Sequence, residues 1–175
     1  MLAGSAIAQT PTKPATITPA APAPLPALPG ASTIVPTYTA VDATTLVAVI
    51  RSQTQAQVTA DNSDPAGPVV KVQQTNGVGY AVIMNDCQNG LCKSLEFHAL
   101  LPAGTLNFSQ VNSFNQNMRY ATAFFGEKGV PELRMDLSLR GGVTAETIAY
   151  TVRIFSKVLA DYIAQAQPES LVKPK

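Results

Sequence analysis

The chain has 175 residues, 46% of them hydrophobic and 13% charged, with a formal net charge of +1. So sparse and balanced a charge, with no basic cluster, argues against nucleic acid or an anionic membrane surface as the main partner. No apolar run reaches the about 18 residues that a spanning helix needs, so no membrane-crossing helix is expected.

In chain order, residues 1–8 read as the remnant of an export signal. Ala6-Ile7-Ala8 fits the small-x-small cleavage pattern, with Gln9 as the first mature residue. An ordinary N-terminal tail is the alternative. Residues 9–41 are dominated by Pro, Ala and Thr and read as an extended, disordered linker. The folded domain is expected over 42–166, and 167–175 as a flexible tail. Asp42 is placed to cap a helix over 43–53, in which Leu46, Val49 and Ile50 recur at helical spacing. Residues 56–61 suggest a short strand, and NSDPAGP (62–68) a turn.

Residues 69–74 form the next strand. A two-residue loop at Asn76-Gly77 would turn Lys71 and Gln73 inward. A three-residue loop, with Gly77 in the left-handed conformation, pairs Val72 with Tyr80 and Val70 with Val82, and burial favours it. The stretch 78–101 is then a hairpin about Asn89-Gly90, a pair suited to a type I′ turn. Its register sets Met84, Val82, Tyr80 and Val78 opposite Leu95, Phe97, Ala99 and Leu101 on a buried face. Asn85/Ser94, Ile83/Glu96, Ala81/His98 and Cys87/Cys92 fall on the other, more polar face. Asp86 is expected opposite Lys93 as a cross-strand charge pair. Cys87 and Cys92 would be a non-hydrogen-bonded pair with Cα atoms roughly 4.5 Å apart, close enough for a disulfide. A structural staple is the reading adopted. A redox or metal pair is the alternative, but Cys87-x4-Cys92 lacks C-x-x-C spacing and His98 is the sole histidine.

After Pro102-Ala103-Gly104, residues 107–119 read as a helix capped by Asn107 or Ser109, with Phe108, Val111, Phe114 and Met118 as its apolar stripe. Asn112, Asn115 and Arg119 share another side. Asparagine is a poor helix former, so these amides either bond the backbone of a neighbouring strand or form a recognition face for a partner. Strands follow at 121–126 and 131–139, the second alternating Leu133, Met135, Leu137, Leu139 inward. Thr144 caps a final helix that runs to about Gln165. Helix, strands, helix, two strands, helix, with the strands in meanders, make the chain α+β, with about five antiparallel strands and three helices.

Chemistry is sparse. Glu96 and His98 would project side by side, but no nucleophile or second acid accompanies them, and they read as a surface pair. There is no phosphate loop, G-x-S-x-G or H-E-x-x-H. No catalytic residue, metal ligand or cofactor is assigned.

The segments GYAVIMNDCQNGLCKSLEFHA, VNSFNQNMRYATAFF and LRMDLSLRGGVTAETI, in that order, resemble the YbjN-type family of bacterial sensory transduction regulators. The resemblance implies a fold similar to type III secretion chaperones, often dimeric, and a regulatory role without known catalysis. With the export signal and the cysteine pair, it points to a periplasmic or secreted protein. The preferred expectation is a non-catalytic adaptor or chaperone-like protein, with a homodimer as one candidate assembly, that takes up an extended partner segment by strand addition. Asn112, Asn115 and Arg119 are its candidate contacts. The alternative is a sensory module binding a small ligand between sheet and helices. A closed apolar pocket would favour the sensor, an open apolar groove the adaptor.

Overall fold

A computed structural model of the chain describes residues 35–64, 67–75 and 77–166. The expectations for residues 1–8 and 167–175, and for most of the linker, lie outside these. The elements in order are β1 (Thr37–Tyr38), α1 (Ala43–Gln53), β2 (Gln57–Asp61), β3 (Val69–Gln73), β4 (Gly79–Gln88), β5 (Leu91–Leu100), α2 (Phe108–Asn117), β6 (Thr122–Phe125), β7 (Pro131–Ser138), β8 (Val143–Thr144) and α3 (Ala145–Ala166). The α+β class holds. One antiparallel sheet of six strands, in the order β2-β3-β4-β5-β7-β6, replaces the expected five or so. A separate two-residue ladder joins β1 to β8.

Local signals act as anticipated along most of the chain. The Asp42 carboxylate accepts the Thr45 N–H at 2.7 Å and starts α1. Asn107 and Gln110 close a reciprocal capping box on α2, satisfying two N-terminal donors at once. Val72 pairs with Tyr80 and Val70 with Val82, with Gly77 at φ +85°, so the three-residue loop is the one used. In the central hairpin Met84 pairs with Leu95 and Val82 with Phe97, and Asn89 and Gly90 both have positive φ, as a type I′ turn requires.

The helices close over the buried face. Phe155 of α3 meets Tyr80 and Phe97 of the hairpin, with ring centroids 5.0 and 5.5 Å apart. Tyr162 meets Phe114 of α2 at 4.8 Å. All four of these phenyl and phenol partners from hairpin and α3 lie in one core with Leu46, Ile50 and Leu133.

Three details of the expected packing are corrected. Cys87 and Cys92 do form a disulfide, with Cα atoms 3.9 Å apart, but Cys92 is fully buried within the core rather than on the polar face. The reason is Asp86, whose φ of +53° breaks the strand's alternation; the Asp86/Lys93 position drops out of the ladder. Val41 then exchanges both backbone hydrogen bonds with Cys92, at 3.0 and 2.8 Å, covering it. Second, the side chain paired with Asp86 is Arg140, at 2.6 Å, and not Lys93. The hydrogen bond from Arg140 holds the Asp86 carboxyl below its usual range, with Lys93 adding a weaker attraction. Third, Phe108 is not part of the buried stripe of α2. It is 78% exposed and rests on Phe125, because it is the first helical residue and overhangs the edge strand β6.

Candidate partner-binding groove

The site is built where β6 ends. β6 and β7 pair from Phe125↔Pro131 to Thr122↔Arg134 and no further, whereas β5 follows β7 up to Ser138. The chain leaves the ladder at Tyr120, held in the left-handed region at φ +72°, while the Ala121 N–H donates to the Arg119 carbonyl at 2.9 Å. A bulky residue in that conformation costs about 1–3 kcal/mol, and such strain gathers at functional sites. Tyr120 is also 67% exposed, so burial of its ring does not offset the cost.

Asn115 fixes the near side. Its side-chain amide donates to the Ala123 carbonyl at 2.8 Å and its oxygen accepts the Ala123 N–H at 2.9 Å. A single amide thus plays the part of a missing strand outside β6, which is how α2 is held to the sheet edge. Asn112 and Arg119 are exposed, and neither side chain has a hydrogen-bond or ion-pair partner among the described residues. The three residues of the expected recognition face therefore divide: Asn115 is engaged with backbone, while Asn112 and Arg119 face solvent.

Opposite Tyr120 stands α3. Tyr150 is half exposed, and the Arg153 guanidinium lies 5.9 Å from its ring centre. Arg153 is held by Glu146 at 2.6 Å and Gln53 at 2.8 Å, and Lys157 by Asp161 at 2.9 Å. Between Met118, Tyr120, Tyr150, Ile154 and Val158 runs an open groove of about 460 Å³. A shallower arm of about 160 Å³ leads from Tyr120 and Tyr150 to Met135, Asp136 and Leu137 of β7. The walls are mostly apolar and the charges at the rim are already paired within the fold.

The polar face of the sheet is different. Arg134 Nε lies 2.8 Å from Glu96, and the guanidinium stacks over Phe124 at 4.9 Å. His98 Nε2 is 2.9 Å from Glu132, while its Nδ1 is 3.8 Å from Glu96. Glu96 and His98 are thus part of a half-buried four-residue network, in which Glu132 is the closer partner of the imidazole. Among the described residues no three His, Cys, Asp or Glu side chains converge as a metal site would need, and no helix is long and apolar enough to cross a membrane.

Tyr120, Tyr150 and the end of β7 were not singled out from the sequence. One signal was available: a strand over 131–139 outruns its partner over 121–126, so part of it had to lack a neighbour. The left-handed turn at Tyr120 had no signal, because tyrosine is not a residue that favours it.

Residues 44–168 match the YbjN family model, described as "Putative bacterial sensory transduction regulator". The chain belongs to the YbjN family. The match begins within α1 and includes every strand of the six-stranded sheet, and the residues lining the groove lie within it. No curated protein matches the chain. The family description names a regulatory role and no enzymatic activity.

Proposed function

We propose that this YbjN protein is a non-catalytic adaptor of the cell envelope that regulates a protein partner by binding a segment of it in the groove between Tyr120 and α3. The observation that carries the reading is the groove itself: open, apolar, and flanked by two exposed tyrosines, one of them held in a strained conformation. Asn112 and Arg119, exposed on and just after α2, are proposed as additional polar contacts for the partner. Asn115 contributes through position, since it fixes the strand from which Tyr120 departs. The disulfide supports an oxidising compartment, periplasmic or extracellular, because such bonds persist outside the cytosol.

The test is photo-crosslinking in the native bacterium, with a benzophenone amino acid in place of Tyr150 and, as control, of Ala81 on the polar face. Adducts from position 150 and not from position 81 are expected. A homodimer adduct would make the occupant a second copy. Adducts only from position 81, or from neither, overturn the reading.

A second reading, a small-ligand sensor, has its own place. An open cavity of about 360 Å³ lies between Val78, Leu100 and Leu101 of the hairpin and Leu159 and Ile163 of α3. A small apolar ligand that raises the melting temperature, and loses that effect in Ile163→Trp, would favour it over the adaptor.

A further inference from the structure

The groove has one wall whose chemistry narrows what can fill it. Met135, Asp136 and Leu137 all border it. Successive strand side chains point to opposite faces. Three consecutive residues can border one groove only if the strand's edge, with its backbone, forms the wall.

Hydrogen-bond parity agrees. The Leu101 N–H donates to the Pro131 carbonyl and the Leu139 N–H to the Lys93 carbonyl, so odd-numbered residues of β7 bond to β5. The Gly126 N–H donates to the Val130 carbonyl, so even-numbered residues face β6. Asp136 and Ser138 come next on that edge, past the last β6 pair, Thr122↔Arg134. In the β6 register Tyr120 would oppose Asp136, and its left-handed turn takes the chain away. Both Asp136 and Ser138 are exposed.

Charge adds a third observation. Asp136 lies directly across from Glu96, a like-charged neighbour. Glu96 has Arg134 at 2.8 Å, but Asp136 has no ion pair among the described residues. A strand added beyond β7 would place one side chain beside Asp136 on the polar face and the residues before and after it towards Tyr120 and Tyr150.

We infer that the β7 edge receives an extended protein segment of pattern apolar–basic–apolar, added as a strand in line with β6. Its backbone bonds Asp136 and Ser138, its cation neutralises Asp136, and its apolar side chains fill the arm between the tyrosines. The inference rests on the groove being the binding site and specifies the chemistry of its occupant.

The test uses the full chain and three capped nonapeptides. One has a central Thr-Val-Lys-Val-Thr, one the same sequence with N-methylated core residues, and one Glu in place of Lys. Amide shifts and hydrogen exchange are read by NMR at about 1 mM peptide, the weak end of specific binding. Expected are shifts and protection at Asp136 and Ser138 and none at Asp61 on the opposite sheet edge. N-methylation should weaken binding about tenfold or more, since it removes backbone hydrogen bonds. Lys→Glu should weaken it about threefold, as an exposed ion pair would, and Asp136→Lys should reverse that preference. Equal binding of the N-methylated peptide, shifts centred on the polar face or on β2, or no binding by any of the three overturns the inference. None of these outcomes removes adducts from position 150, so failure of strand addition is distinguishable from failure of the groove as the partner site.

Discussion

Replacing Asn115 by alanine should cost about 2–3 kcal/mol of stability. The two hydrogen bonds to Ala123, at 2.8 and 2.9 Å, are lost together. Ala123 is only 2% exposed, so its N–H and C=O lose their partner while still covered by α2. An orphaned buried polar group costs about 1–3 kcal/mol. Two such groups give about 2–6, and the lower part of that range applies because Asn115 itself is exposed and water can reach the gap. Urea unfolding followed by circular dichroism measures it. The midpoint should fall with an unchanged m-value, since the surface exposed on unfolding stays the same. Asn115→Asp keeps the acceptor but not the donor, and should lie between wild type and alanine. A loss under about 0.5 kcal/mol would refute the structural assignment and return Asn115 to the exposed recognition face.

Three further outcomes follow from the same structure. Tyr120→Asn should hold stability or raise it by up to about 1 kcal/mol, because asparagine accepts the left-handed conformation more readily, while abolishing crosslinks from position 150; a marked loss in thermal melting would show that the ring's packing outweighs its strain. Reduction of the Cys87–Cys92 bond should lower stability by about 2 kcal/mol, the chain-entropy value for so short a loop, and urea titration with and without reductant reads it; no change would deny the staple role. Tyr162 is fully buried, its hydroxyl has no hydrogen-bond partner among the described residues, and burial, aided by Glu132, pushes its pKa up to about 12. The folded state therefore favours the neutral phenol, stability is flat below the unfolded value near 10, and it declines as pH rises from there towards 12. Tyr162→Phe should flatten that decline and raise stability at neutral pH by about 1 kcal/mol; a destabilised variant would mean the hydroxyl is satisfied.

Much of the fold was legible because local and long-range signals agreed. Asp42 and Asn107 cap the helices they precede, and Asn89-Gly90 and Gly77 select the turns that set the register of three strands. What was not legible depends on single backbone conformations that residue type does not dictate. Asp86 at positive φ carries Cys92 into the core, where strict alternation places it outside. Tyr120 at positive φ ends β6 early and opens the groove. The partners of Asp86 and His98 were missed for a related reason: Arg140 and Glu132 lie 54 and 34 residues away along the chain, and spacing within a hairpin says nothing of them. The asparagine face was legible as a question, and Asn115 answers part of it by bonding the edge strand.

A partner strand can add to the sheet here only if β7 has an open edge beside Tyr120 and Tyr150. Amide hydrogen exchange of the free, full chain tests this most directly. Arg134, bonded to β6, and Met135, bonded to β5, should be strongly protected, whereas Asp136 and Ser138 should exchange nearly as fast as exposed turn residues. Protection at Asp136 and Ser138 equal to that of Arg134 would mean the edge is already occupied, and would contradict the claim that it is where a partner binds.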